Sequence, residues 1–107
     1  MVLAPNEKQA LEKLSAMVRE RYGALDIRLY GSKSRGTDTP DSDIDILIVL
    51  PETSRDLESR IDDDIFDINL DHDCLISTVY YSEQELREGP MSESPLYKRA
   101  LAEGVRL

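Results

Sequence analysis

Two short stretches hold residue types and spacings that could do chemistry. Gly31-Ser32 is followed at once by Lys33 and Arg35 and, after ten intervening residues, by Asp43-x-Asp45. On a strand, residues i and i+2 share a face, so the two carboxylates point together while Ile44 and Ile46 face the opposite layer. Parallel carboxylates repel and raise each other's pKa, and a cation between them relieves this. Mg²⁺ suits the pair, because it takes one or two carboxylates and fills its shell with phosphate oxygens and water. Gly31 has no Cβ, which lets a phosphate approach the backbone. Ser32, opening a helical turn, offers its hydroxyl and backbone N–H groups to that anion. Lys33 and Arg35 can neutralise a polyphosphate, Gly36 allows a sharp bend, and Asp41 and Ser42 hydrogen-bond the loop that presents the acids. A metal held by acids opposite a phosphate-binding corner is equipment for phosphoryl-type displacement.

The surrounding pattern supplies elements to position these groups. Asn6, with Gln9 three residues on, reads as a helix N-cap with its capping-box partner. Ala10, Leu11, Leu14, Met17, Val18 and Tyr22 recur at helical spacing up to Gly23. Leu25, Ile27 and Leu29 alternate with Asp26, Arg28 and Tyr30, which is strand periodicity. Residues 43–50 are apolar on both faces beyond their acids, so they predict a central strand covered by helices on both sides, ended by Pro51. Leu57, Ile61, Ile65 and Ile68 mark a helix with Asp62, Asp63 and Asp67 on its wet side. Leu75 to Tyr81 reads as a strand, with Cys74 a small buried hydrophobe at its start. Ser82-Glu-Gln-Glu85 forms a capping box, and Ser94-Pro95 opens a last helix that Gly104 closes. The order predicts one α/β domain over residues 1–107, a small mixed sheet of three to four strands packed with α-helices.

Composition narrows the function classes. The 107 residues are 33% charged and 40% hydrophobic, with no tryptophan, as expected for a soluble folded domain. No apolar run is long enough to span a bilayer, and no charged-then-apolar leader opens the chain, so membrane partners are not expected. Cys74 is the only cysteine, which rules out an internal disulfide and fits a reducing cytoplasm. The net charge is −9, and residues 38–73 carry thirteen acids against Arg55 and Arg60. A surface for duplex nucleic acid needs clustered Lys and Arg instead. Much of that acidity reads as the solvated face of a helix. An EF-hand reading of Asp41-x-Asp43-x-Asp45 fails, because Ile46 stands where such a loop needs glycine. His72 has no second His or Cys at zinc spacing and reads as a surface group.

Leu29-Tyr-Gly-Ser-Lys-Ser-Arg-Gly36 and Asp41-Ser-Asp-Ile-Asp-Ile-Leu-Ile48 resemble the corresponding motifs of the DNA polymerase β-like nucleotidyltransferase superfamily. The resemblance is to its stand-alone minimal nucleotidyltransferases in particular. It implies the nucleotidyltransferase fold, with Gly31 and Ser32 on a nucleoside triphosphate and Asp43 and Asp45 as catalytic ligands of Mg²⁺. A nucleoside monophosphate, AMP from ATP, would pass to a hydroxyl acceptor with release of pyrophosphate. It further implies an antitoxin that acts with a small helical HEPN-type partner. So short a chain leaves the acceptor to a partner or to a homo-oligomer.

One departure from the family pattern stands out. The third carboxylate that serves such enzymes as base lies on the neighbouring strand, near Ser77 or Val79 here, and residues 75–81 contain no acid. Asp71 and Asp73 precede that strand and are the available substitutes. General-base assistance is worth roughly 10²–10⁴-fold. Its loss would slow transfer yet spare nucleotide binding, so a nucleotide-binding antitoxin that acts by contact alone is the alternative expectation.

Overall fold

Ala10, Leu11, Leu14 and Val18 fall on one side of the first helix, α1 (Pro5–Tyr22), and all four are buried. The protein is described here from a computed structural model that covers residues 3–31 and 43–107. Proline fits the first turn of a helix, where its missing N–H costs nothing. Pro5 is therefore already helical, and the cap falls on Ala4, whose N–H donates to Glu7 Oε1 at 2.8 Å. The expected Asn6 cap with Gln9 is not formed. Asn6 Nδ2 instead donates to the carbonyls of His72 and Asp73, at 2.8 and 3.3 Å, fastening the start of α1 to the end of the next helix.

The chain continues through β1 (Asp26–Tyr30), β2 (Ile44–Leu50), α2 (Arg55–His72), β3 (Ile76–Ser82), α3 (Glu83–Glu88), a 3₁₀ turn (Pro90–Glu93), α4 (Pro95–Glu103) and β4 (Val105–Arg106). The sheet runs β3-β2-β1-β4. β1 pairs antiparallel with β2 and β4, and β2 pairs parallel with β3. This is the mixed α/β sheet that the alternation of periodicities predicts. Leu25 lies just outside β1 and is exposed, whereas Ile27 and Leu29 are fully buried. β4 spans two residues and leaves no periodicity to read. Gly104 lets it reach the sheet, since a Cβ there would strike the Ala100 carbonyl and lie 3.0 Å from that of Leu29.

β2 is covered on both faces. Ile44, Ile46, Ile48 and Leu50 join the core beneath α1 and α2, with Ile61, Ile65 and Ile68. Leu47 and Val49 join a smaller cluster with Tyr81 and Ala100, flanked by Tyr30, Val79, Leu86 and Tyr97. The later caps form as the sequence predicts. Ser82 Oγ accepts from Glu85 N–H while Glu85 accepts from Ser82 N–H, and Ser94 Oγ accepts from Tyr97 N–H. Among the described residues, no helix is long and apolar enough to cross a membrane.

β3 ends the sheet, and its outer edge is managed by one side chain. Ile44 N–H donates to Leu75 O at 2.8 Å, so strand alternation turns the backbone groups of Ile76 outward, away from β2. The Asn69 carboxamide meets both. Ile76 N–H donates to Asn69 Oδ1 at 2.8 Å, and Asn69 Nδ2 donates to Ile76 O at 3.2 Å. Asn69→Ala leaves both groups part-buried and unpaired, and should lower stability by about 1–3 kcal/mol. The check is the urea midpoint at unchanged slope; an unmoved midpoint would mean that water replaces the amide in full.

Candidate active site

β1 ends and β2 begins at the same lip of the sheet. Tyr30 is the cross-strand partner of Asp45, and Gly31 follows it. Gly31 has φ +79°, a left-handed conformation that side chains with a Cβ rarely adopt. A Cβ at that position would lie 2.5 Å from Asp45 Oδ2 and 3.3 Å from Asp45 Cγ. The carboxylate of Asp45 therefore rests against the bare Cα of Gly31. The sequence places these residues fourteen positions apart, and the antiparallel register brings them together.

Asp45 is half-buried and Asp43, immediately before β2, is exposed. Leu47 and Val49 sit on the α4 side of the sheet, and Ile44 and Ile46 on the α1–α2 side. The two-residue period of a strand gives Asp45 the α4 side and carries Asp43 to the same side. Of the other expected site residues, Ser32, Lys33 and Arg35 lie outside the described residues, as do Gly36, Asp41 and Ser42.

Sequence reading missed Tyr30 as a neighbour of Asp45 and left Ser77 and Val79 as alternatives on the other flank. Tyr30 is half-buried, and its phenol is held above the usual tyrosine range by burial first, then by the charges of Asp45 and Tyr81. It packs on the Leu47–Tyr81 cluster, so Asp45 sits at the boundary between an apolar layer and solvent. On the other flank, the parallel register places Ser77 level with Asp45 and Val79 level with Leu47. Ser77 is exposed, whereas Val79 is half-buried against the smaller cluster. The side chain level with Asp45 is thus a hydroxyl.

The substitutes considered for a third acid belong to the other layer. Asp71 lines a groove between α1 and α2 with Lys13, Met17 and Arg21. Asp73 caps α2 at φ 50°, its carbonyl taken by Asn6. Among the described residues, no set of three or more His, Cys, Asp or Glu side chains converges as a metal site. His72 Nδ1 lies 2.9 Å from Ile68 O. Cys74 is half-buried beside the main core, its thiol pushed up by burial. Neither residue has a part in the lip.

Two hard carboxylate oxygen donors two residues apart match the ligand preference of Mg²⁺. The absent Cβ at Gly31 is what lets one of those carboxylates close on the backbone there. Carboxylate oxygens gathered at a bare glycine backbone are chemically suited to a divalent cation.

Because the Tyr30 phenol is raised, its neutral form is favoured by folding. Its contribution to stability is complete below about pH 10 and declines as pH rises through the folded value. Asp45→Asn removes one cause and should bring the Tyr30 titration down, while burial still keeps it above that of a free tyrosine. Phenolate absorbance against pH, with Tyr30→Phe to assign the component, measures this. An unshifted Tyr30 component would place the Asp45 charge too far away to matter.

Residues 11–102 match the family of nucleotidyltransferase domains. A solved structure assigned as a minimal nucleotidyltransferase superimposes with a TM-score of 0.63 at 21% identity, covering 94% of each chain. A toxin–antitoxin crystal structure with AMP-PNP gives 0.62 at 21% identity, over 92% of this chain and 70% of that one. A point mutant of the MntA-HpeT toxin–antitoxin gives 0.61 at 21% identity, over 91% and 70%. No curated protein matches the chain by sequence. The family match spans both strands of the lip and everything between, the structural neighbours share the fold, and the chain belongs to the nucleotidyltransferase-domain family.

Proposed function

We propose that this protein is a Mg²⁺-dependent nucleotidyltransferase that passes AMP from ATP to a hydroxyl on a partner protein. The observation that carries the reading is the contact between the Asp45 carboxylate and the bare Cα of Gly31 at the lip of the sheet. In this reading Asp43 and Asp45 hold the metal. Gly31, with Ser32, Lys33 and Arg35, receives the triphosphate. When bound, Mg²⁺ supplies charge neutralisation and orientation of the phosphate oxygens. The acceptor oxygen forms its bond to the α-phosphorus as the bond to the bridging oxygen breaks, and pyrophosphate leaves with that electron pair. Tyr30 and the cluster beneath it keep water from one side of Asp45, which strengthens the hold of its charge on a cation.

The acceptor proton needs a base. Level with Asp45 the chain offers Ser77, a group that cannot take that proton at neutral pH. This favours a second reading in which the protein binds nucleotide and restrains its partner by contact, with transfer slow or absent. In both readings the partner is a small helical protein of HEPN type. Support for a partner comes from the toxin–antitoxin structures that share this fold, one of them solved with AMP-PNP.

Incubation with labelled ATP, Mg²⁺ and the helical partner separates the two readings. Label on the partner supports transfer; bound nucleotide with no label moved supports the contact antitoxin. Asp43→Asn with Asp45→Asn should abolish metal-dependent ATP binding and leave the fold intact or slightly more stable, because the two charges repel without metal. Calorimetric titration with Mg·ATP tests this, and native-like affinity in the double variant would locate the site elsewhere. Ser77→Asp should raise any transfer rate, by up to about 10²-fold, with Ser77→Asn as the uncharged control. Equal rates for the two variants would show that β3 is not where the base belongs.

A further inference from the structure

The outer face of α2 pairs apolar and acidic side chains in a way that neither the core nor the lip uses. Phe66, the only phenylalanine of the chain, is 61% exposed, and Leu70 is 65% exposed. Their spacing of four puts them in one stripe along the helix. Asp62 borders the stripe on one side, and Asp63 and Asp67 on the other. All three are exposed, and beyond Arg60 the helix carries no Lys or Arg. Beside the stripe, between α2 and β3, lies a groove of about 280 Å³ whose lining includes Ile65, Phe66, Ile76 and Thr78.

We propose that this face is the docking surface for a helix of a partner protein, one whose apolar stripe is bordered by lysine or arginine. Exposed aromatic and leucine side chains at i, i+4 are the anchors that helix-in-groove recognition uses. The acidic border sets the sign of the partner's charge.

The alternatives fit less well. A strand added to β3 would meet Ile76 already closed by Asn69, with Asp62 held by the Tyr80 hydroxyl at 2.6 Å across the same edge. A second copy of the chain would set Asp63 and Asp67 against like charges, on a molecule of net charge −9. Nucleic acid and anionic lipid carry the wrong sign. The Phe66–Leu70 stripe lies on the α2 side of the sheet and Asp45 on the α4 side, and the groove reaches Ser77, level with Asp45, at the edge between them.

The test uses the full chain and a synthetic helical peptide whose leucine stripe is bordered by lysine, with a glutamate-bordered peptide as control. Titration calorimetry should show binding of the lysine peptide alone. Phe66→Ala with Leu70→Ala should weaken it by about tenfold or more. Asp63→Asn with Asp67→Asn should weaken it and flatten its dependence on salt. Glu83→Gln with Glu88→Gln removes as much charge from α3 and should leave it unchanged, as should Asp43→Asn with Asp45→Asn. The proposal is overturned if the Phe66/Leu70 variant binds like the native chain, or if the α3 variant loses as much affinity as the α2 variant. It is equally overturned if the native chain sediments as a dimer that the Phe66/Leu70 variant breaks, which would assign the face to a second copy.

Discussion

The register of β2 is the constraint on which the lip of this protein depends. From Ile46 to Val49 the strand is buried on both faces and paired on both edges. Its first residues alternate acid and isoleucine, so a slip of one position would exchange the faces of all of them. Asp45 would then enter the α1–α2 core, and Ile44 and Ile46 would lose theirs. An unpaired carboxylate in such a core costs several kcal/mol, and each displaced isoleucine forfeits about 1.5–3 kcal/mol of burial. The residues that carry the proposed chemistry therefore also enforce the register. The same register sets Asp45 between Tyr30 and Ser77, with Gly31 against its carboxylate.

What could be read from the sequence follows from how local each cause is. The helical stripe of α1, the alternation of β1, the doubly apolar run of β2 and the Ser82 and Ser94 caps all depend on residues a few positions apart. Each was legible. The start of α1 was misread because Asn6 has the chemistry of a cap, while Pro5 before it has the geometry of a first turn; geometry wins, since proline's φ is fixed. The acids and the Gly31 corner were legible because their spacing lies within one motif. Tyr30 was not, and Ser77 could not be told from Val79, because these residues become neighbours of Asp45 only through pairing with two other strands. In the sequence Tyr30 is one more member of the polar phase of β1, and Ser77 one of two candidate positions for the absent acid.

The two faces of the sheet are built for different work. On the α1–α2 side lies the larger core, with Asn6 and Asn69 fastening helix ends and strand edge to it. On the other side the cluster is small, and Tyr81 and Tyr97 lean together with ring centroids 5.5 Å apart. Among the described residues, that thinner layer leaves Asp45 half-buried and Asp43 exposed. The proposed triphosphate site would gain from that exposure, and the stability comes from the opposite layer.

Acidity ties these features together. Most of the negative charge of the chain falls within residues 38–73; among the described residues, Asp43 and Asp45 stand at the lip of β2, and Asp62, Asp63 and Asp67 on the outer face of α2. At the lip, the proposed metal would answer the charge, and Lys33 and Arg35 stand close in sequence to a phosphate chain. On α2 beyond Arg60 nothing in the helix answers it, and Phe66 and Leu70 lie open between the acids. Like charges held at close spacing raise the free energy of the isolated chain and lower that of a complex with a cationic counterpart. The two proposed sites would share one electrostatic logic, each completed by a group of opposite sign, a metal ion at one and a basic helix at the other.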